Sequence, residues 1–104
     1  MVIKRQFPRH IIKLSVEIRA GEQVCKGTTV RLSEKGFFVR AQQSFSIGLP
    51  VDITLYLKDD VPCFLKGVVK FAQTAALLKK DNGMGIELTE KDKKYEEFVR
   101  DLEN

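Results

Sequence analysis

The chain has 104 residues, of which 43% are hydrophobic and 31% are charged, and it carries a formal net charge of +4. This length predicts one domain with a single core, and the composition excludes a disordered tail and a membrane-embedded chain. The N-terminus lacks the apolar stretch of a signal peptide, and two widely separated cysteines suit a reducing compartment, so we expect a cytoplasmic protein.

Residues 1–11 are predicted to form a basic, flexible arm. They bring together Lys4, Arg5, Arg9 and His10 around Pro8, a residue that cannot donate a hydrogen bond to a strand ladder. Such an arm suits an anionic partner, since guanidinium groups bind phosphate oxygens in a bidentate fashion. His10 is interpreted either as a solvated residue of the arm or as an additional phosphate donor.

Residues 12–88 are predicted to form a mainly β structure, a six- or seven-stranded antiparallel β-barrel. Apolar and polar residues alternate with a period of two, which is the pattern of half-buried strands. The predicted strands, in chain order, cover residues 12–20, 24–32, 37–39, 51–58, 62–71, 76–80 and 84–88. Gly67 indicates a bulge or bend in the fifth strand, which has Phe71 on the same face as Val69, and Asn82-Gly83 indicates a hairpin turn.

Residues 90–103 are predicted to form one C-terminal α-helix, which completes a single domain of residues 1–104. Thr89 and Asp92 have the spacing of a capping box, and apolar residues follow with helical spacing from Tyr95 to Leu102. We expect the apolar face of this helix to pack on the barrel. The same face is also available to a homodimer.

The sequence offers no catalytic or metal-binding constellation. It contains one histidine and two cysteines without metal-ligand spacing, and it has neither a Walker-type loop nor a complete dinucleotide-binding glycine motif. Cys25 and Cys63 are predicted to be small, buried or half-buried hydrophobic residues of the strands. We therefore expect a binding protein without metal or cofactor rather than an enzyme.

Two short motifs remain, and both suit a phosphorylated purine. Arg5 and Arg9 are four residues apart in the arm, where their planar donors can meet phosphate oxygens or the O6/N7 edge of guanine. Ser33 and Gly36 enclose a predicted turn after the second strand. This turn offers a hydroxyl group and a glycine that permits either a close approach of backbone to ligand or a positive φ.

In combination these motifs resemble the PilZ domain family. The resemblance rests on RxxxR in the arm, the RLSEKG turn from Arg31 to Gly36, the antiparallel strands, the GMGIEL strand and the terminal helix, and it covers essentially the whole chain. It implies a small bacterial β-barrel that acts as a receptor for the second messenger cyclic di-GMP. It also implies ligand-binding roles for Arg5, Arg9, Ser33 and Gly36, in which the arginines grip phosphates and stack on or bond to guanines.

The chain departs from the family motif at Arg31, where the family has Asp or Asn. A guanidinium group has donors only, so Arg31 cannot accept a hydrogen bond from the Watson–Crick edge of guanine. An unmatched buried donor costs about 1–3 kcal/mol, or roughly 5- to 150-fold in affinity. Arg31 also adds a cation beside a dianionic ligand, and we include it with Lys4 among the predicted ligand-binding residues.

Three functional hypotheses follow. In the first, cyclic di-GMP orders the arm against the barrel, and a partner protein recognises the changed surface. In the second, Arg31 marks a degenerate domain that does not bind the nucleotide and serves as a protein interaction module. In the third, a small basic barrel binds single-stranded nucleic acid through Phe37 or Phe38, of which at most one can face a given platform; the competing interpretation of these residues is a place in the core.

Overall fold

The computed structural model describes residues 10–41, 43–73 and 82–102. The strands are β1 (His10–Ile11), β2 (Ser15–Ala20), β3 (Gln23–Leu32), β4 (Gly36–Ala41), β5 (Pro50–Tyr56), β6 (Pro62–Gln73) and β7 (Asn82–Glu90). The helix is α1 (Lys93–Leu102), and a 3-10 turn covers Lys58–Asp60. No helix within the described ranges is both long and apolar enough to cross a bilayer.

Six of the strands close into an antiparallel barrel, as predicted. Hydrogen-bonded neighbours follow the order β3-β2-β5-β6-β7-β4, and β4 also pairs with β3 to complete the circuit. The short strand β1 uses the same edge of β3 as β2 does, with His10 opposite Leu32 and Ile11 opposite Arg31. The last two residues of the predicted arm are therefore paired in the sheet, and the chain enters the fold beside the end of β3.

Apolar residues fill the barrel interior where the alternating pattern predicted them. Val16 and Ile18 on β2, and Ile53 and Leu55 on β5, are each at most 2% exposed. Burial of such side chains is the main favourable contribution to folding, because it removes apolar surface from water. The rest of the core comes from all six barrel strands and includes Leu32, Val39, Leu65, Val69, Met84 and Ile86.

A β-bulge in β3 turns Arg31 toward the outer surface. The register of β3 against β4 shifts by one residue between Thr29 and Arg31, so that Val30 is the extra residue. Because side chains alternate with a period of two, one extra residue reverses which of them face the core. Thr29 is accordingly fully buried, whereas Arg31, two positions later, is exposed.

A second bulge, in β6, overturns one prediction. The register of β6 against β7 shifts between Val69 and Phe71, and Lys70 is the extra residue. Val69 is fully buried, but Phe71 is 51% exposed. The prediction that Phe71 shares the face of Val69 is wrong, because the alternation does not continue through the bulge. The irregularity predicted at Gly67 is confirmed as a further register shift between Lys66 and Gly67.

The C-terminal helix packs on the barrel with Tyr95 and Val99 buried, as predicted. The predicted capping box is wrong, because Thr89 belongs to β7 and Asp92 itself precedes the first helical residue. The Asp92 carboxylate accepts a hydrogen bond from the Lys94 backbone N–H at 3.0 Å. This bond stabilises the ionised form and lowers the pKa of Asp92.

The predicted hairpin turn at Asn82-Gly83 is also wrong. These are the first two residues of β7, with Asn82 opposite Ala41 and Gly83 opposite Arg40. A side chain at position 83 would overlap the ring of Phe38, so packing in the sheet requires the glycine. The strand predicted at residues 76–80 lies outside the described residues.

Candidate functional site

The predicted binding residues fall into two groups. Arg31, Ser33 and Gly36 lie together where β3 turns into β4. The other three, all in the basic arm, lie outside the described residues: Lys4, Arg5 and Arg9. The chain enters β1 at His10, opposite Leu32, and this end of the barrel is therefore where the arm joins the fold.

Ser33 and Gly36 form the closing pair of the β3–β4 hairpin, around Glu34 and Lys35. The Ser33 backbone N–H donates to the carbonyl oxygen of Gly36 at 2.8 Å. The Ser33 hydroxyl donates to the same oxygen at 3.3 Å, which is long for an O–H···O bond. Among the described residues the hydroxyl therefore has only a weak partner, and it can turn toward a ligand.

Gly36 is required by a close approach of two strands. Its backbone is opposite Glu87 of β7, and a Cβ atom at position 36 would overlap the carbonyl oxygen of Ile86. The positive φ considered for this glycine is not observed, because the positive-φ glycines of the described chain are Gly21 and Gly48. Packing of β4 on β7 thus accounts for the glycine of the turn motif.

The C-terminal segment holds the backbone of this turn. The Tyr95 hydroxyl of α1 donates to the Ser33 carbonyl oxygen at 2.5 Å. The Lys91 ammonium donates to the Glu34 carbonyl oxygen at 3.1 Å. The Lys35 carbonyl oxygen accepts from the Leu88 N–H at 2.8 Å. Three successive carbonyl groups of the turn are therefore held by β7, by Lys91 and by α1.

A pocket of about 390 Å³ opens on the outer surface of the barrel beside this turn. It is lined by Arg31, Leu32, Ser33, Lys35, Gly36, Phe37, Phe38, Lys70, Gly85, Ile86 and Glu87. Three of these lining residues are cationic (Arg31, Lys35 and Lys70), and one is a carboxylate (Glu87). The excess of positive charge suits an anionic ligand.

One row of paired residues runs through the pocket lining from Arg31 to Gly85 and continues beyond it to Phe71. Arg31 is opposite Phe38, Phe38 is opposite Gly85, and Gly85 is opposite Phe71. The Arg31 guanidinium carbon lies 5.9 Å from the centre of the Phe38 ring, a cation–π distance. The rings of Phe38 and Phe71 are 6.2 Å apart, and they approach each other across the side-chain gap at Gly85. Phe38 is thus the aromatic residue of this row that lines the pocket, and it has the Arg31 cation beside it.

The two adjacent phenylalanines have different positions, as expected for neighbouring strand residues. Phe37 is 5% exposed and packs in the core, with its ring centre 6.3 Å from that of Tyr95. Phe38 is half-buried on the outer face and lines the pocket. A stacking role for an aromatic residue in this pocket therefore falls to Phe38, and Phe37 has a core role.

Lys70 and Glu87 form an ion pair at the edge of the pocket. The distance from Lys70 Nζ to Glu87 Oε1 is 3.5 Å, and the two side chains are 61% and 47% exposed. Lys70 is the extra residue of the bulge in β6, and this is what brings it beside Glu87. An exposed pair of this kind contributes little to stability, so either partner is available to a ligand.

Thr29 fixes the segment through which the chain enters the barrel. Its side chain is fully buried; the hydroxyl donates to the Ile12 carbonyl oxygen and accepts from the Leu14 N–H, both at 2.8 Å. Burying a hydroxyl without partners is costly, and both of its hydrogen-bonding functions are used here. The residues that follow β1 are therefore held against β3.

The two cysteines are buried and free, as predicted. Burial raises the pKa of the Cys63 thiol to about 11. It also raises the pKa of Cys25, whose thiol donates to the Gln43 carbonyl oxygen at 3.2 Å. Neither thiol has the lowered pKa of a reactive cysteine. No group of three or more metal-ligating side chains occurs within the described ranges.

Sequence reasoning missed Lys70, Glu87 and Tyr95 as parts of the site. The exposed position of Glu87 follows from its place between Ile86 and Leu88 in an alternating strand. Lys70 lies beside the pocket because of the bulge in β6, and this bulge leaves no clear signal in the sequence. Tyr95 has the spacing of a core residue in a helix, and its hydrogen bond to a distant turn emerges only from the folded chain.

Comparison with solved structures places this fold among known ones. A structure of the Bacillus subtilis inhibitor of motility, MotI (DgrA), matches with a TM-score of 0.76 at 18% identity, covering 94% of this chain and 48% of that chain. The PilZ domain with c-di-GMP of YcgR from Escherichia coli matches with a TM-score of 0.73 at 7% identity, covering 94% of this chain and 87% of that chain. This chain thus spans about half the length of the Bacillus structure.

The sequence itself was compared with curated proteins and with family models. No curated protein matches it. The model of the PilZ domain matches residues 3–102, which is nearly the whole chain and includes the arm, the barrel and the helix. The family match and the closed six-stranded barrel with its terminal helix agree, and the chain belongs to the PilZ domain family.

Proposed function

We propose that this PilZ domain binds cyclic di-GMP in the pocket beside the Ser33–Gly36 turn, and that the bound nucleotide orders the N-terminal arm to form a surface for a partner protein. The observation that carries the proposal is the place where the chain enters the fold. His10 pairs with Leu32, and Leu32 lines the pocket. An arm that joins the barrel at His10 arrives at the rim of the pocket.

The arm has the length to cover the pocket. An extended chain spans at most roughly 3.6 Å per residue, so the five residues from Arg5 to Arg9, which precede His10, reach roughly 18 Å. Both Arg5 and Arg9 are thus within reach of a nucleotide held beside Ser33. Their guanidinium groups supply the bidentate donors that phosphate oxygens and the guanine O6/N7 edge require.

The pocket supplies complementary charge and a stacking surface. Arg31, Lys35 and Lys70 place cations around it, which suits a ligand with two phosphates. Phe38 offers an aromatic face, and base stacking on such a face contributes about 1–3 kcal/mol. The family adds support, because the Escherichia coli structure of the same fold is a PilZ domain with c-di-GMP.

In this proposed function the protein is a receptor without catalytic activity in the bacterial cytoplasm. Residues 1–104 act as one domain, in which the arm of residues 1–9 responds to the nucleotide and the barrel and helix are the scaffold that holds the pocket. The buried free thiols of Cys25 and Cys63 suit a reducing compartment. Ordering of a segment on ligand binding is an established way to expose a new surface to a partner.

The arm arginines provide the test. Arg5→Ala and Arg9→Ala are each expected to weaken cyclic di-GMP binding by about 10- to 150-fold, since a hydrogen bond to a charged group contributes about 1.5–3 kcal/mol. Binding is measured by equilibrium dialysis with labelled nucleotide, and thermal unfolding checks that each variant is folded. Arg19→Ala, at an exposed position on β2, removes the same charge elsewhere and is expected to bind like the wild type. Unchanged affinity in both arm variants would contradict the proposal.

Arg31 favours a second candidate function, that of a protein interaction module without nucleotide. Its guanidinium already packs over Phe38, and it has no acceptor for the guanine edge. This candidate predicts that the wild type does not bind cyclic di-GMP at all. The arm variants and the wild type would then be indistinguishable in the dialysis measurement.

A further inference from the structure

The pocket needs an acceptor that Arg31 cannot supply. The Watson–Crick edge of guanine presents N1–H and N2–H donors, and donors that lose water without gaining an acceptor weaken binding. Arg31 carries donors only. The Watson–Crick edge of a guanine base in this pocket must therefore find its acceptor on a group other than Arg31.

Glu87 is the carboxylate that lines the pocket, and its surroundings are open. It is directly opposite Gly36 on the neighbouring strand, and Gly36 has no side chain to cover it. The side chain of Glu87 is 47% exposed. The Leu88 N–H that follows is bonded to the Lys35 carbonyl oxygen at 2.8 Å, so the backbone at Glu87 is fixed against the turn.

The position of Glu87 relative to Phe38 suits recognition of a stacked base. Phe38 pairs with Gly85, two residues before Glu87 on β7, which makes Phe38 and Glu87 diagonal neighbours on the outer face. Diagonal neighbours of this kind are roughly 7–8 Å apart. A base that stacks on the Phe38 ring thus has an edge that can reach the Glu87 carboxylate.

Lys70 orients the Glu87 carboxylate through an ion pair. The ammonium lies 3.5 Å from Oε1 of Glu87 and leaves the second carboxylate oxygen to other donors. Both partners are largely exposed, so the pair can rearrange when a ligand enters. Lys70 then remains beside the pocket as a cation for a phosphate.

We propose that Glu87 is the base-specificity residue of this pocket, with its carboxylate accepting from N1–H and N2–H of a guanine stacked on Phe38. This inference rests on the proposed function. Two acceptor oxygens meet two donors on guanine, whereas adenine presents a ring-nitrogen acceptor and one amino donor at the same edge. The Glu87 carboxylate, on a different strand from Arg31, thus supplies the hydrogen-bond acceptor that the Arg31 guanidinium lacks.

The sign of the Glu87→Gln effect separates base recognition from simple electrostatics. If Glu87 acts only through its charge, removing a negative charge near an anionic ligand strengthens binding of cyclic di-GMP and cyclic di-AMP alike. If Glu87 reads the guanine edge, the substitution weakens cyclic di-GMP binding by about 10- to 100-fold and changes cyclic di-AMP binding little. The ratio of the two affinities therefore falls.

The experiment measures the dissociation constants of both dinucleotides for the wild type, Glu87→Gln and Glu90→Gln. Glu90 is exposed on the same strand and does not line the pocket, so its variant is the matched control and is expected to behave like the wild type. A wild type that binds cyclic di-GMP, with Glu87→Gln retaining the wild-type affinity ratio, overturns this inference alone. A wild type that binds neither dinucleotide overturns the proposed function and the inference with it.

Discussion

The hydroxyl of Tyr95, in the C-terminal helix, donates a hydrogen bond to the backbone carbonyl oxygen of Ser33, 62 residues away in the chain. Tyr95 is fully buried, and Ser33 belongs to the turn that borders the candidate pocket. The bond therefore connects the helix to the pocket.

Tyr95→Phe is expected to destabilise the domain. The substitution keeps the ring in the core but leaves the Ser33 carbonyl without its donor, which costs about 1–3 kcal/mol. For a domain of this size each kcal/mol corresponds to a fall in Tm of about 4–8 °C. Thermal unfolding followed by circular dichroism measures the shift. Tyr56→Phe is the control, because the Tyr56 hydroxyl has no hydrogen-bond partner among the described residues, and an equal Tm for both variants would show that the bond is unimportant.

Stability is expected to fall at alkaline pH. Burial, with a smaller contribution from the nearby Cys63, raises the pKa of Tyr95 above its ordinary value of 10.0, and burial raises that of Cys63 from 9.0 to about 11. A raised pKa in the folded state means that stability is complete below the unfolded pKa and is lost as pH rises above it. The free energy of unfolding should therefore be level up to about pH 9 and then decline.

Denaturant titrations at a series of pH values check this decline. Cys63→Ala should remove part of the decline that begins near pH 9, to which the buried thiol of Cys25 also contributes, and Tyr95→Phe should remove the part that begins near pH 10. If the free energy of unfolding declines with pH equally steeply in the wild type and in both variants, the decline comes from other groups.

The two thiols are expected to be protected in the folded protein. Cys63 is fully buried with a raised pKa, and Cys25 is 3% exposed. Only the thiolate reacts with disulfide reagents, so both residues should react slowly at neutral pH and rapidly after denaturation. Absorbance with a chromogenic disulfide follows the reaction. One equivalent reacting at once in the native state would show that the barrel wall opens.

Gly36→Ala is expected to be much more destabilising than Gly85→Ala. A methyl group at position 36 overlaps the backbone carbonyl oxygen of Ile86, and the paired strands must separate to admit it. Overpacking of this kind typically costs about 1–3 kcal/mol, or more where backbone has to move. At position 85 the nearest atom is the Phe71 Cβ at 3.2 Å, which requires a smaller adjustment. Chemical denaturation of both variants ranks them, and equal stability would contradict the packing role of Gly36.

Alternation and turn residues predicted most of the barrel, because half-buried strands repeat with a period of two. Where a bulge interrupts the strand, the same reasoning fails. Val30 and Lys70 are extra residues that reverse the direction of the following side chains, and Phe71 was therefore placed on the wrong face. Neither Val30 nor Lys70 carries a local sequence signal that separates a bulged residue from a paired one.

The candidate site was predictable only in part for the same reason. The motif pointed to Ser33 and Gly36, which the structure brings to one pocket with Arg31. Glu87 and Lys70 join them through strand pairing between β4, β7 and β6, and long-range pairing is not encoded in local spacing. The physical reason for a glycine at position 36 also differs from the positive φ considered for it. The glycine allows the neighbouring strand β7 to approach closely, and its φ is not positive.

Calorimetric titration of the purified wild type with cyclic di-GMP, with GMP and cyclic AMP as controls, measures directly whether the domain binds cyclic di-GMP. We expect saturable heat with micromolar or tighter affinity for cyclic di-GMP and none for the controls. We also expect an increase in Tm at saturating ligand, because binding to the folded state stabilises it. Absence of both heat and thermal stabilisation would show that the domain does not bind cyclic di-GMP and would leave a domain that acts through protein partners without the nucleotide.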